Sequence, residues 1–262
     1  MRGPKTTVLF WQLSLGVALL GLWQGLSTRR WIDPFFFSRP SDIALRVRKW
    51  IVDGSIWEHL AVTLLEALLA FVLGALLGVV AGFLLGRVRR LAQILAPYIY
   101  VGNALPRIVL APLFLLWFGL GIWSKVALGV VSVFFVVFFN TFQGVREVDP
   151  VLLDNARMLG ASERQLIRHV VMPSTLAWIF SSLHISIGFA IIAAVVGEYL
   201  GASRGVGYLI AQAEGVFDTT GVMAGIAILS AVVLAVSAGV HRLERWLLRW
   251  QPGRAGQLPG PG

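Results

Sequence analysis

Apolar runs of about 20 residues, one after another, are the feature that most restricts what this chain can fold into. In lipid every backbone N–H and C=O must find its partner inside the protein, so a run of that length crosses as a helix. There are six candidate spans: Thr7–Leu26, Leu60–Leu85, Leu95–Trp117, Val126–Phe142, Thr175–Val196 and Thr220–Val240. Charged residues make up only 13% of the chain, against about 25% in soluble domains, so the runs are not the interior of a soluble protein. The expected fold class is an all-α polytopic membrane protein with about six transmembrane helices embedded in a lipid bilayer.

The distribution of charge sets the expected topology. With the N-terminus in the cytoplasm, the inner segments hold Arg2, Lys5, Arg87, Arg89, Arg90, Arg146, Arg157, Arg164, Arg168, Arg242, Arg245, Arg249 and Arg254. Their acids are Glu147, Asp149, Asp154, Glu163 and Glu244. This positive-inside bias puts both termini and a polar island, Asp149–Pro173, on the cytoplasmic side. The net charge of +9 does not point to nucleic acid, because the bases lie between apolar runs rather than along one soluble face. Arg29, Arg30, Arg39, Arg46, Arg48 and Lys49 run against the bias, in the first outer segment. There Ser41–Val52 has an amphipathic pattern, with Ile43, Leu45, Val47, Trp50 and Ile51 among its bases, suited to the outer interface. Arg2 and Lys5 before the first run also fit a signal peptide, but Trp23–Ser27 lacks a small-x-small cleavage site, so an uncleaved helix is expected. The Pro/Gly-rich end, residues 249–262, is expected to be a disordered tail.

Several chemistries are excluded. There is no cysteine, and His59, His169, His184 and His241 show no ligand spacing, so no metal is expected. No Gly-x-x-x-x-Gly-Lys-Ser/Thr loop is present, and Gly201–Gly207, though glycine-rich, reads as an outer loop. No catalytic residues and no cofactor are expected; an intramembrane enzyme would need a catalytic pair that the sequence lacks.

The polar island has a mechanical reading of its own. Asp149-Pro150 is an N-cap followed by a first-turn proline, and Val151–Leu159 then makes about two helical turns. Gly160 stands where a left-handed residue ends a helix, and Ser162 with Gln165 forms a capping box that opens another. Ala156 and Gly160, four apart, leave one face small enough to nest against a partner; Arg157, Arg164 and Arg168 supply charge for acidic partners or headgroups. A plain solvated loop with well-capped helices is the alternative.

Asp154-Asn155-Ala156-Arg157-Met158-Leu159-Gly160-Ala161-Ser162, closing on Val170-Val171-Met172-Pro173, resembles the EAA loop of permease subunits in binding-protein-dependent ABC importers. Ala156, Gly160 and Pro173 match the pattern. Asp154 replaces its Glu, Asn155 an Ala, Val170 an Ile and Met172 a Leu. The prolines Pro97, Pro106 and Pro112, with Trp117–Gly121, Ser124-Lys125 and Asn140–Gly144, make the nearest likeness the branch importing nitrate, sulfonates, taurine and pyrimidine precursors. The resemblance covers most of Leu60–Leu247. It implies a type I importer permease core at 60–248, preceded by a first helix and outer segment at 1–59. It also implies a bacterial inner-membrane location and no catalysis by the chain alone. The implied partners are two ATP-binding subunits, an external solute-binding protein and a second copy of the chain. The implied ATPase-coupling residues are Asp154, Asn155, Ala156, Arg157, Leu159, Gly160, Ala161, Ser162 and Pro173. An ion-coupled secondary transporter is the alternative; it would need an intramembrane ion site, for instance at Glu66 and Arg107.

Within the spans, Gly74, Gly78, Gly82 and Gly86 recur every four residues on one helix face, which suits tight helix packing or a helix beside a pathway. The three prolines around residue 106 suit a bent or broken helix near a pathway. Glu66, Arg107 and Glu198 are the translocation-pathway candidates, because a lone charge in a span costs about 2.5–3.5 kcal/mol on insertion scales. Arg107 suits an anion-attracting cavity, an ion pair with Glu66 or another acid, or an interface position. Glu198, at the outer end of its span, equally suits a contact with a binding protein.

Overall fold

In a computed structural model, which describes residues 4–247, every regular element among the described residues is helical. The long helices are α1 (Pro4–Thr28), α4 (Ser55–Arg87), α7 (Ile122–Arg146), α10 (Met172–Leu200) and α12 (Thr219–Leu247). Each is long and apolar enough to cross a membrane. Shorter helices join them: α2 (Pro34–Phe37), α3 (Pro40–Val52), α5 (Arg89–Ala104), α6 (Ala111–Phe118), α8 (Pro150–Met158), α9 (Glu163–Leu166) and α11 (Val206–Gly215). The expected tail at 249–262 lies outside the described residues.

The third expected span is not a straight crossing. α5 and α6 meet at 87° through a 3-10 turn, Arg107–Leu110. Leu105, ahead of Pro106, is extended, as a residue preceding proline must be, and Pro106 itself cannot donate to the helical ladder. The break is therefore written in the backbone chemistry of two residues.

α4, α7 and α10 form the centre, with Ala67, Ala75, Val133, Val137, Ala190, Ile191 and Ala194 buried among them. The four-residue glycine repeat of α4 lies along α7. Gly74 meets Val133, Gly78 meets Val137, Gly82 meets Thr141 and Gly86 meets Val145. A Cβ on Gly82 would sit 2.7 Å from the Phe138 carbonyl oxygen, so the backbones approach as small-xxx-small packing requires. That side of α4 is filled by protein.

A second cluster, Ile56, Val206 and Ile228 with Val47 and Trp50, holds α3, α4, α11 and α12 together. The amphipathic α3 packs Ile43, Val47 and Trp50 inward, and Arg46 pairs with Asp218 at 2.5 Å. The most apolar stretch of α1 has none of its residues buried. It is tied down at its end, where the Ser27 hydroxyl donates to the Ser38 carbonyl at 2.7 Å.

Candidate functional site

Three arrangements carry the polar chemistry of the bundle. The first is the connection between α7 and α10, beside Arg87 at the end of α4. The Asp149 carboxylate accepts the Val151 N–H at 2.8 Å, and Pro150 opens α8. At its other end Gly160 has φ +83; its N–H donates to Arg157 O at 2.9 Å and the Ala161 N–H to Ala156 O at 3.0 Å. This pair of bonds is the Schellman pattern, which favours glycine at the left-handed position. Ser162 and Gln165 form the reciprocal capping box that starts α9.

α9 does not stop at Pro173. It runs into α10 through a π turn, Ile167–Val171, in which the Met172 N–H reaches Ile167 O. Pro173 has no N–H and its ring crowds the carbonyl four residues back; the widened turn accommodates both. The chain thus enters the bundle as one long helix rather than restarting at the proline.

The α8–α9 corner is fastened to the bundle by charge. Arg87 binds Glu163 at 2.6 Å, and Arg157 binds Asp154 at 3.1 Å and lies 3.8 Å from Glu163. Below it, Val145, Val148 and Val171 are buried against Phe83 and Leu153. Met158 and Leu159, by contrast, are 86% and 88% exposed. Ala156, Leu159, Gly160, Ala161 and Leu166 line a concavity of about 280 Å³. Asn155 and Ser162 are exposed, and Pro173 is half-buried at the base.

The second arrangement lies at the other end of α4. Three successive backbone N–H groups leading into α11 are each bound by a side chain. Gly205 N–H donates to His59 Nδ1 at 3.0 Å, Val206 N–H to Thr63 Oγ1 at 2.9 Å, and Gly207 N–H to Glu198 Oε2 at 2.7 Å. His59 therefore carries its proton on Nε2 when neutral. A carboxylate suits this place because the first N–H groups of a helix are unpaired and partially positive. Glu66 faces Glu198 within hydrogen-bonding reach, and Lys125 interacts electrostatically with both. The Lys125 ammonium donates to Leu120 O at 2.5 Å and Gly121 O at 3.0 Å. All three charged residues are buried.

The third arrangement is a cavity of about 430 Å³ beside the α5–α6 break, lined by Asn103, Arg107, Leu128, Ser132, Phe189 and Ile192 among others. Arg107 donates to Asn103 Oδ1 at 3.0 Å. Its guanidinium carbon is 5.9 Å from the ring centres of both Phe135 and Phe189.

The structure sorts the sequence candidates accordingly. Glu66 and Glu198 come together, while no contact joins either to Arg107, so the ion site imagined for an ion-coupled transporter is not assembled and Arg107 forms no ion pair with Glu66. Glu198 is fully buried under the start of α11 and offers no surface to an external protein. Gly201–Gly207 is more than an outer loop, because its last residues open α11. Lys125 entered the sequence reading only through the family likeness and His59 only as a histidine without ligand spacing, while Thr63 was not named. A lysine at the head of an apolar run is a signal in itself; a His and a Thr spaced by four on α4 are visible as partners only once α11 folds over them. Among the described residues no group of three or more His, Asp or Glu is placed to hold a metal.

The comparisons with known proteins agree with one another. Residues 74–250 match the family described as binding-protein-dependent transport system inner membrane component. The chain is 38% identical to the riboflavin transport system permease protein of Chloroflexus aurantiacus, over 89% of this chain and 87% of that one. It is 35% identical to the putative aliphatic sulfonates transport permease protein of Bacillus subtilis, over 91% and 87%. With the taurine transport system permease protein of Escherichia coli the identity is 30%, over 91% and 89%. Among solved structures, an inward-facing methionine ABC transporter superposes with a TM-score of 0.60 at 19% identity, covering 76% of this chain and 96% of that one. That likeness is one of fold.

Proposed function

This chain belongs to the family of binding-protein-dependent transport system inner membrane components, and from that we propose that it forms the membrane pathway of an importer powered by ATP hydrolysis on a partner subunit. The observation that carries the coupling role is the α8–Gly160–α9 corner. It offers exposed Met158 and Leu159 on a capped two-turn helix, yet is fixed to the bundle through Arg87–Glu163 and the Val145–Val148–Val171 cluster. A push on that corner is delivered to the end of α4 and, through the continuous α9–α10 helix, to the centre of the bundle.

In this reading Asp154, Asn155, Ala156, Arg157, Leu159, Gly160, Ala161, Ser162 and Pro173 form or support the docking surface. Asp154 and Arg157 act through each other, and Pro173 acts through the π turn. The assembly would hold two ATP-binding subunits, an external solute-binding protein and a second copy of this chain, with residues 60–248 as the permease core. The relatives are named for riboflavin, aliphatic sulfonates and taurine, which supports a small polar or anionic organic solute as cargo. Family membership disfavours the ion-coupled alternative, since a binding-protein-dependent system draws on a different energy source.

The test is a pull-down of the protein from its native membrane in mild detergent, with an ATPase assay on what co-purifies. An associated ATPase that is lost in Gly160→Val supports both the complex and the docking surface. Purification alone, with no ATPase activity, overturns the reading.

A further inference from the structure

We propose that the cavity at the α5–α6 break is a subsite for a small organic anion, whose acidic head binds Arg107 and whose apolar body lies against Leu128, Ile192 and Val196. The inference rests on the transporter reading and deepens it by naming the chemistry of the cargo.

Arg107 is held without a counter-charge. Among the described residues it forms no ion pair, and its hydrogen bond goes to a neutral amide, Asn103. Its Nε is buried and has no hydrogen-bond partner. A buried donor left unpaired is unfavourable, the more so on a charged group. Phe135 and Phe189 approach the guanidinium from α7 and α10, stabilising the cation through their ring faces without using any of its donors. The fork that remains suits two oxygens of one carboxylate or sulfonate. A carboxylate side chain there would compete with such a ligand; two rings do not.

The rest of the lining selects the body attached to the acidic head. Leu128, Ile192 and Val196 are apolar, and the Ser132 hydroxyl already donates to Leu128 O at 2.9 Å. A neutral polar solute finds little to bind, and a small inorganic anion leaves the apolar wall uncovered. The volume of about 430 Å³ falls within the range of small-molecule sites, about 300–1,000 Å³. Lys125 does not compete for the anion, because its ammonium is held by Leu120 O and Gly121 O.

The chain has no cysteine, so Ile192→Cys places a single thiol on the cavity wall at a position that is 56% exposed. The complex is purified with its ATPase into nanodiscs of phosphatidylcholine alone, which removes anionic lipid as a competing ligand. Thiol modification of this chain is followed by mass with the methanethiosulfonate reagents bearing ethylsulfonate, ethyltrimethylammonium or a plain methyl group. The anionic-to-cationic rate ratio is expected to fall at least about tenfold on adding Arg107→Gln and to survive in part with Arg107→Lys. Pentanesulfonate is expected to protect the thiol, while pentylammonium and nitrate at equal ionic strength are not. A ratio unchanged by Arg107→Gln, equal protection by nitrate or pentylammonium, or a thiol that even the neutral reagent cannot reach overturns the subsite. Adding a large excess of phosphatidylglycerol and finding protection equal to pentanesulfonate would reassign it to lipid. Loss of the transporter reading is read separately, as absence of the ATPase, and the labelling can still be scored on the chain alone.

Discussion

Glu198 accepts the Gly207 N–H at 2.7 Å in a space that two missing side chains leave open. A Cβ on Gly205 would collide with the Glu198 carboxyl, and Gly205 also has φ +113. Gly160, at φ +83, has no atom within 4 Å of where its Cβ would be. One glycine is required by packing and backbone, the other by backbone alone. Gly205→Ala is therefore expected to lower the thermal unfolding midpoint in detergent well beyond the effect of Gly160→Val, whose local cost is about 1–2 kcal/mol. Gly160→Val is instead expected to leave the protein inserted while abolishing ATP-driven uptake in proteoliposomes. Normal uptake would remove Gly160 from the docking surface. Glu198→Ala leaves the Gly207 N–H buried without an acceptor, at a cost of roughly 1–3 kcal/mol, and unfolding in denaturant should show that loss while Arg48→Ala, at an exposed position, does not.

At the scale of elements, the α4–α7 seam holds the centre. Each glycine of α4 admits a residue of α7 one turn further on, and Gly129 of α7 returns the contact by admitting Ala70. A side chain at Gly82 must displace the Phe138 carbonyl or Thr141, so the helices have to part. Overpacking of this kind typically costs about 1–3 kcal/mol. Gly82→Val is expected to unfold at distinctly lower denaturant than the parent, and Gly16→Val in α1, where nothing lies within 4 Å, to unfold with it. Equal midpoints for the two variants would mean that the seam is not what fixes the bundle. The glycine period was legible in the sequence, but its partner was not, since Val133, Val137, Thr141 and Val145 of α7 stand among other apolar residues with nothing to mark their face. The π turn before Pro173 was likewise hidden, because a proline predicts a disturbed ladder and not how the disturbance is absorbed.

Across the whole molecule, α3 is joined to the α11–α12 turn by Arg46 and Asp218. Partial burial pushes the Asp218 carboxyl up, but the Gly221 N–H and the Arg46 guanidinium outweigh it and hold the group below the usual carboxylate range. Its contribution to stability is thus fully present above the unfolded-state value of about 3.9 and is lost as pH falls through the lower folded value. For a pair this exposed it amounts to no more than about 1 kcal/mol. Asp218→Asn is expected to lower the unfolding midpoint slightly at neutral pH, with the difference from the parent closing in strong acid. A difference independent of pH would assign the effect to packing.

Membrane class, the position of nearly every crossing and the helix–turn–helix at 149–173 were determined by the sequence alone, because each depends on local chemistry: length of apolar run, caps, a left-handed glycine, prolines. Which charged groups meet was decided only by tertiary structure. Glu66, Lys125 and Glu198 sit on α4, α7 and α10, far apart in the chain, and come together because small residues let those helices close. Arg107 stands apart from them because Pro106 turns its segment through 87°. Burial of a charge can be read from a sequence as a cost; what offsets it depends on which helix lies alongside.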